Sequence, residues 1–168
     1  MTFRFCPQCG RPLTLRPVGD EGEQPFCAEC CRWYFDNAVP CVLTAIVNEQ
    51  GQVLLLHQKH ITHAPTLCSG YVKKGDTLEA TVRREVLEET GQQVNSCQYV
   101  GSWYYPPKGL IMAGFLARVT AREFAASREV DGLFWADMAE ARRIVARENN
   151  LSGAVLDVYA AMLNGVQP

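Results

Sequence analysis

No run of about 18 apolar residues occurs in this 168-residue chain, so no membrane span is expected. Internal repeats and low-complexity tracts are also missing, which sets aside repeat architectures and biased disordered segments. Charge of one sign is not in excess either. Sixteen basic residues face 18 acidic ones, for a formal net charge of −2. Between the two N-terminal cysteine pairs, Arg11 and Arg16 are set against Asp20, Glu21 and Glu23. Without a basic stripe the electrostatic footprint of a nucleic-acid binder is lacking, and no nucleic-acid or membrane partner is expected. No secretory signal is read ahead of the first cysteine pair, so the expected location is the cytoplasm.

What the chain does contain is enough apolar material, 48% of its residues, to bury one good core. Ahead of it stands a cysteine framework. Cys6-Pro7-Gln8-Cys9 and Cys27-Ala28-Glu29-Cys30 form a C-x2-C…C-x2-C pattern with 17 residues between the pairs. That spacing is one expected of a four-cysteine zinc site, in which two tight knuckles close a tetrahedral sulfur shell. Disulfides are the competing use and fit an oxidising compartment, which nothing else in the chain suggests. Cys31 adjoins the last ligand, but the two-residue spacer favours Cys30. Cys41, Cys68 and Cys97 show no pairing pattern and read as small buried hydrophobes. The expected organisation is a zinc ribbon over residues 1–36 followed by one larger domain over 37–168.

The second signal lies at residues 70–91. Glu85, Glu88 and Glu89 stand at i, i+3 and i+4, positions that share one face of a helix. Three carboxylates that close repel one another unless a cation sits among them, and oxygen-rich sets suit magnesium or manganese. A solvated acidic face is the ordinary alternative. Against it, Leu78, Val82 and Val86, with Leu87 beside them, mark an apolar side on the same helix, and a glycine-bearing loop enters the helix at its anion-favouring N-terminus. Asp76 and Glu79 have the spacing of a capping box at that start.

This stretch resembles the Nudix box, G-x5-E-x7-R-E-U-x-E-E-x-G-U with U a bulky aliphatic. Gly70 fills the first glycine and Arg84-Glu85-Val86-x-Glu88-Glu89-x-Gly91 the second half. Asp76 replaces the first glutamate and Gln92 the final aliphatic. The resemblance implies an α/β fold, an α/β/α sandwich with a mixed sheet. It also implies that Glu85, Glu88 and Glu89 bind catalytic magnesium or manganese ions, with Glu85 or Glu89 polarising the attacking water. Arg84 would hold the carboxylate rotamers and the Gly70 carbonyl would join the metal shell. Glu129, in a downstream Glu-x5-Trp pattern, would complete that shell, with Asp131 as the alternative.

A four-cysteine ribbon directly before such a domain resembles the NADH pyrophosphatase group, although Ser102 to Gly109 lack its proline-rich signature and the group's larger members carry a further N-terminal domain. The implied reaction is metal-dependent hydrolysis of the pyrophosphate in a nucleoside diphosphate joined to another group, with a dinucleotide such as NADH or NAD favoured. Alternatives are hydrolysis of ADP-ribose, a nucleotide sugar or a nucleoside triphosphate by the same site, and a catalytically weak nucleotide-binding regulatory module. Tyr71 and Phe35 are candidates to stack on a base, and Lys73 to meet phosphate, with Lys74 beside it. Trp103, Tyr104 and Tyr105 divide between strand packing and ligand contact. A homodimer is compatible with this reading.

Element signals are clear in places. Cys41–Val47 and Val53–Leu56 read as a hairpin around Asn48–Gly51. The box helix spans about three turns. Strands are expected near 98–105 and 110–119, with Pro106–Gly109 as the turn between them. A helix should start at Asp137 and reach about Arg147. A last helix should be capped by Ser152 and stopped by Asn164-Gly165.

Overall fold

The structure is a computed structural model that describes residues 3–58, 64–146 and 151–165. The chain divides into two compact units, Met1–Ala38 and Val39–Pro168. The first unit is a three-stranded antiparallel sheet of β1 (Thr14–Pro17), β2 (Glu23–Cys27) and β3 (Arg32–Trp33). Its side-chain packing is thin. Phe26 stacks against Trp33 at 4.7 Å and the Arg16 guanidinium lies 4.4 Å over the Phe26 ring. Among the described residues of this unit only Cys6, Pro25 and Cys27 are buried, far too little to fold it by apolar burial alone.

The second unit runs β4 (Val39–Val47), β5 (Val53–Gln58), β6 (Cys68–Tyr71), α1 (Leu78–Thr90), β7 (Val94–Tyr105), β8 (Leu110–Val119), β9 (Val130–Ala136), α2 (Met138–Val145) and α3 (Leu151–Leu163). Its mixed sheet has the order β7-β8-β4-β5-β9, with β6 also paired to β4. The parallel β4–β8 pair at its centre reads as an unbroken apolar run because both faces are covered. Cys41, Leu43, Ala45 and Val47 of β4 face a core shared with α2 and α3. Val42 and Ile46 face the other core, with Val82 and Val86 of α1. The result is the α/β/α sandwich expected from the box, with a four-cysteine unit ahead of it.

One irregularity of the sheet builds the site. β4 and β5 pair only at Ile46–Leu54 and Val47–Val53, then separate. β6 fills the wedge, pairing Cys41–Tyr71 through Thr44–Cys68 on one side, while Thr66 bridges Leu56 on the other. The chain leaves β6 at the mouth of this wedge and turns directly into α1.

Several local expectations are corrected. The α1 cap is Thr77, whose hydroxyl accepts from Ala80 N at 3.1 Å, and Asp76 turns instead toward Arg84. Ser152 lies inside α3, buried, with its hydroxyl 2.9 Å from Thr66 Oγ1, so it ties the helix to the wedge and does not cap it. Residues 130–136, for which no element was expected, form strand β9, and Glu129 stands in the turn just before it. α2 ends at Val145, and Arg147 lies outside the described residues.

Gln92, where the box has an aliphatic, is fully buried and grips the backbone of Arg122. Its Oε1 accepts from Arg122 N and its Nε2 donates to Arg122 O, both at 3.0 Å. Ala125 N also donates to Thr90 O at 3.1 Å, and Ala125 sits where a side chain on Gly91 (φ +75°) would stand. The 120–125 segment is thereby latched to the end of α1. Gln92→Leu restores the family's aliphatic yet removes both hydrogen bonds to the Arg122 backbone. It should destabilise the protein by about 2 kcal/mol in denaturant unfolding; an unchanged midpoint would refute the latch.

Candidate active site

Helix α1 delivers its glutamates to the wedge in graded environments. Glu89 is buried, the Glu85 side chain is 14% exposed and that of Glu88 is 53% exposed. Arg84 organises the outer part. Its Nη1 reaches Glu85 Oε1 at 2.5 Å and Glu88 Oε2 at 3.2 Å, its Nε lies 3.4 Å from Asp76 Oδ2, and its Nη2 donates to Tyr71 O at 3.1 Å. The guanidinium fork thus joins the helix, the preceding loop and the end of β6.

Gly70 is needed for a steric reason. A Cβ built there would lie 2.0 Å from Glu85 Cδ, so only a glycine lets the carboxylate rest against the β6 backbone. That approach lays the Glu85 carboxylate beside the β6 backbone, and an oxygen donor of this kind suits a hard divalent cation.

Glu89 is held differently. Gln58 Nε2 donates to its Oε1 at 2.8 Å and the Cys68 thiol to its Oε2 at 3.4 Å. Burial, opposed in part by the Cys68 hydrogen bond and reinforced by the charges of Glu85 and Glu129, raises its carboxyl to about 7. The same surroundings lift the buried Cys68 thiol well above its usual range, and burial pushes Cys41 up to about 11, so neither is a thiolate at neutral pH.

These groups line a cleft of about 490 Å³. Of the residues expected from the sequence, Gly70, Tyr71, Lys73, Arg84, Glu85, Glu88, Glu89 and Glu129 all line it. Asp131, the alternative to Glu129, is not among the residues lining the cleft, and its carboxylate meets His57 Nδ1 at 2.5 Å. Phe35 belongs to the first unit and is exposed there. Trp103 is core, its ring lying where side chains on Gly101 and Gly114 would be. Tyr104 is exposed, and Tyr105 lines the cleft. The sequence reading missed Gln58, Lys108 and Ser152 in the walls. For Gln58 the one available signal is a polar residue ending an apolar strand.

In the first unit the four sulfurs of Cys6, Cys9, Cys27 and Cys30 lie within 4.8 Å of one another and could hold a metal ion. Cys6–Cys30 is 3.9 Å and Cys9–Cys27 is 3.6 Å. A tetrahedron with bonds of about 2.3 Å has edges of about 3.8 Å, between those two values. The Cys9 thiol, then burial, then the Cys27 and Cys6 thiols push Cys30 up to about 12, a mutual resistance to ionising that a cation relieves.

The raised Glu89 carboxyl has a consequence for stability. Its folded-state value lies above the ordinary one of 4.5, so its contribution is intact below pH 4.5 and is lost as pH rises through about 7. One pKa unit corresponds to about 1.4 kcal/mol, which makes the penalty of order 3 kcal/mol at pH 8. Metal-free Glu89→Gln should therefore unfold at a higher temperature than wild type at pH 8, with the gap closing by pH 4.5. Parallel stability curves for the two proteins would show that Glu89 does not carry the penalty.

Comparison with known proteins bears on this geometry. The family model of the NUDIX domain matches residues 37–155. The NAD-capped RNA hydrolase NudC of Photobacterium profundum is 31% identical over 169 residues, covering 99% of this chain and 61% of that protein. The protein of the same name from Vibrio vulnificus is 36% identical over 126 residues, covering 73% and 46%. That from Salmonella paratyphi C is 34% identical over 124 residues, covering 74% and 47%. The chain spans about half the length of these curated relatives, and about three fifths of the first. Among solved structures, a NUDIX hydrolase from Nitrosomonas europaea superposes with a TM-score of 0.74 at 22% identity, covering 99% of this chain and 95% of that one. The NUDIX domain of Shewanella oneidensis NrtR complexed with ADP ribose gives 0.65 at 13% identity, covering 82% and 94%. At these identities the two structures speak for the fold. Since the domain model takes in most of its length and the glutamate helix meets the glycine strand as that fold requires, the chain belongs to the Nudix family.

Proposed function

We propose that this protein hydrolyses the pyrophosphate bond of a nucleoside diphosphate joined to a second group, with a dinucleotide such as NADH or NAD as the favoured substrate. The observation that carries the reading is the set of four carboxylates, Glu85, Glu88, Glu89 and Glu129, that line one cleft, with Glu85 lying against the Gly70 backbone. The names of the curated relatives support the dinucleotide, since NAD caps the RNA in each of them. An RNA carrying that cap presents the same pyrophosphate and belongs in the same assay.

Glu85, Glu88, Glu89 and Glu129 would hold magnesium or manganese ions, with the Gly70 carbonyl beside them. When bound, such ions neutralise the pyrophosphate, polarise a phosphoryl oxygen and lower the pKa of a water. The chain's own groups do the rest. Arg84 fixes the rotamers of Glu85 and Glu88. Glu89 is the better base of the two candidates, because it accepts only from the neutral Gln58 amide and Cys68 thiol and makes no ion pair among the described residues. Glu85 is committed to Arg84. Lys73 meets the phosphates, and the rings of Tyr71 and Tyr105 offer flat faces for a base. Attack by water on phosphorus needs no covalent nucleophile. With the magnesium or manganese salt present, NADH or NAD should yield two mononucleotides, and Glu89→Gln or excess chelator should cut the rate at least ten-fold. The panel should include the NAD-capped RNA, ADP-ribose, a nucleotide sugar and a triphosphate. If NADH and NAD are inert while one of those turns over, the substrate assignment moves to it; undiminished turnover in chelator rules out the metal-dependent reading.

The division into a ribbon over residues 1–36 and a hydrolase domain over 37–168 is part of this proposal. In the first, Cys6, Cys9, Cys27 and Cys30 would hold a structural zinc. The sulfur geometry supports it, and so does the near absence of buried apolar side chains there, since such a unit draws its folding energy from the metal. About one zinc per chain should co-purify, and Cys9→Ser should lower thermal stability while leaving the glutamate site's metal dependence intact. Zinc-free protein purified under reducing conditions would falsify this assignment.

A further inference from the structure

Gln58 ends β5 after four fully buried apolar residues, Val53 to Leu56, and is itself only 2% exposed. Its Nε2 donates to Glu89 Oε1 at 2.8 Å. With Glu89 ionised, as a base or metal ligand has to be, its carboxylate can only accept, so this bond fixes which end of the amide is which. The other end, Oε1, is buried and has no hydrogen-bond partner among the described residues. A buried acceptor without a donor is costly, and an unbranched apolar residue would fill the same space without that cost. The position of the amide explains its presence. A register shift between His57 and Gln58 places Gln58 opposite Val130, the neighbour of Glu129, and the His57–Asp131 pair pins the two strands one step away. Gln58 thus stands between Glu89 and the start of β9, which Glu129 immediately precedes, and Gln58, Glu89 and Glu129 all line the cleft.

We propose that Gln58 is a positioning residue for the hydrolytic water, holding Glu89 in one rotamer through Nε2 and taking a hydrogen bond from that water on Oε1. The proposal rests on the pyrophosphate-hydrolase reading above. A water has two hydrogens. With one directed to Glu89 and the other to Gln58, its lone pair is left to face phosphorus, whereas a water held by Glu89 alone is free to rotate. In the step, the water oxygen bonds to phosphorus as its proton passes to Glu89. The bond from that phosphorus to the bridging oxygen breaks, and its electron pair leaves with the departing phosphate. No oxidant, reductant or further reactant enters.

The test is Gln58→Met, which keeps length and volume and removes both polar ends. Four quantities are compared with wild type: kcat and KM for NADH with magnesium, melting temperature, and Mn2+ affinity in the absence of substrate by electron paramagnetic resonance. The expected result is a loss in kcat of at least ten-fold, with KM and Mn2+ affinity within about three-fold and an undiminished melting temperature. A kcat within two-fold of wild type overturns the proposal. So does a loss of kcat matched by a loss of Mn2+ affinity or of stability, because the amide would then serve only the metal or the fold. If the methionine variant does not fold, Gln58→Asn, which keeps both polar ends but withdraws them by one methylene, is held to the same standard. Wild-type protein inert toward every pyrophosphate compound would bring down the functional reading and this one together. Active wild type with an active Gln58→Met would bring down this one alone.

Discussion

The arrangement around the cleft depends on a single guanidinium. Three glutamates at i, i+3 and i+4 oppose one another on a helix, and Glu89 already sits at the limit of what burial allows a carboxylate. Arg84 makes the rest tolerable by binding Glu85 and Glu88 at once, and it turns a local charge problem into a tertiary link by also taking the carbonyl of Tyr71 and the carboxylate of Asp76. Because its fork spans loop, strand and helix, the strand carrying Gly70 is drawn close enough that Glu85 occupies the space of the missing side chain. Close backbone approach, carboxylate orientation and the shape of the wedge are therefore one constraint seen from three sides.

The features legible in the sequence were those set by short-range geometry. The glutamate spacing and the cysteine pairs announce themselves because helix periodicity and knuckle size fix them locally. Where a tertiary bond competed with a local one, the local reading failed. Asp76 and Glu79 have capping-box spacing, but Arg84 offers Asp76 a charged partner and Thr77 takes the cap one residue later. Ser152 has the chemistry of a cap and serves as a buried strut to Thr66. Residues 130–136 form strand β9 through pairing with β5, a long-range partner that the segment's own sequence does not name. Gln58 and Lys108 were beyond reach, since nothing in their neighbourhoods says which wall they will line.

The two units reach order by opposite means. The larger one buries aliphatic side chains on both faces of a mixed sheet, so its stability is spread over many small contacts. The smaller one buries almost nothing apolar and concentrates its organisation at four sulfurs. A substitution in the first is absorbed by its neighbours; a substitution at a sulfur in the second has no neighbours to absorb it.

The Gln92 latch bears on how this sequence is free to drift. Gln92 binds the backbone N–H and C=O of residue 122 and makes no hydrogen bond to its side chain. Position 122 can thus exchange its amino acid at little cost, proline excepted because it has no N–H to give. The count of residues between the latch and Glu129 is another matter, because a single insertion or deletion there would carry the carboxylate out of register with the helix it serves. Lineages descending from this chain should accumulate replacements along the 120s while keeping its length.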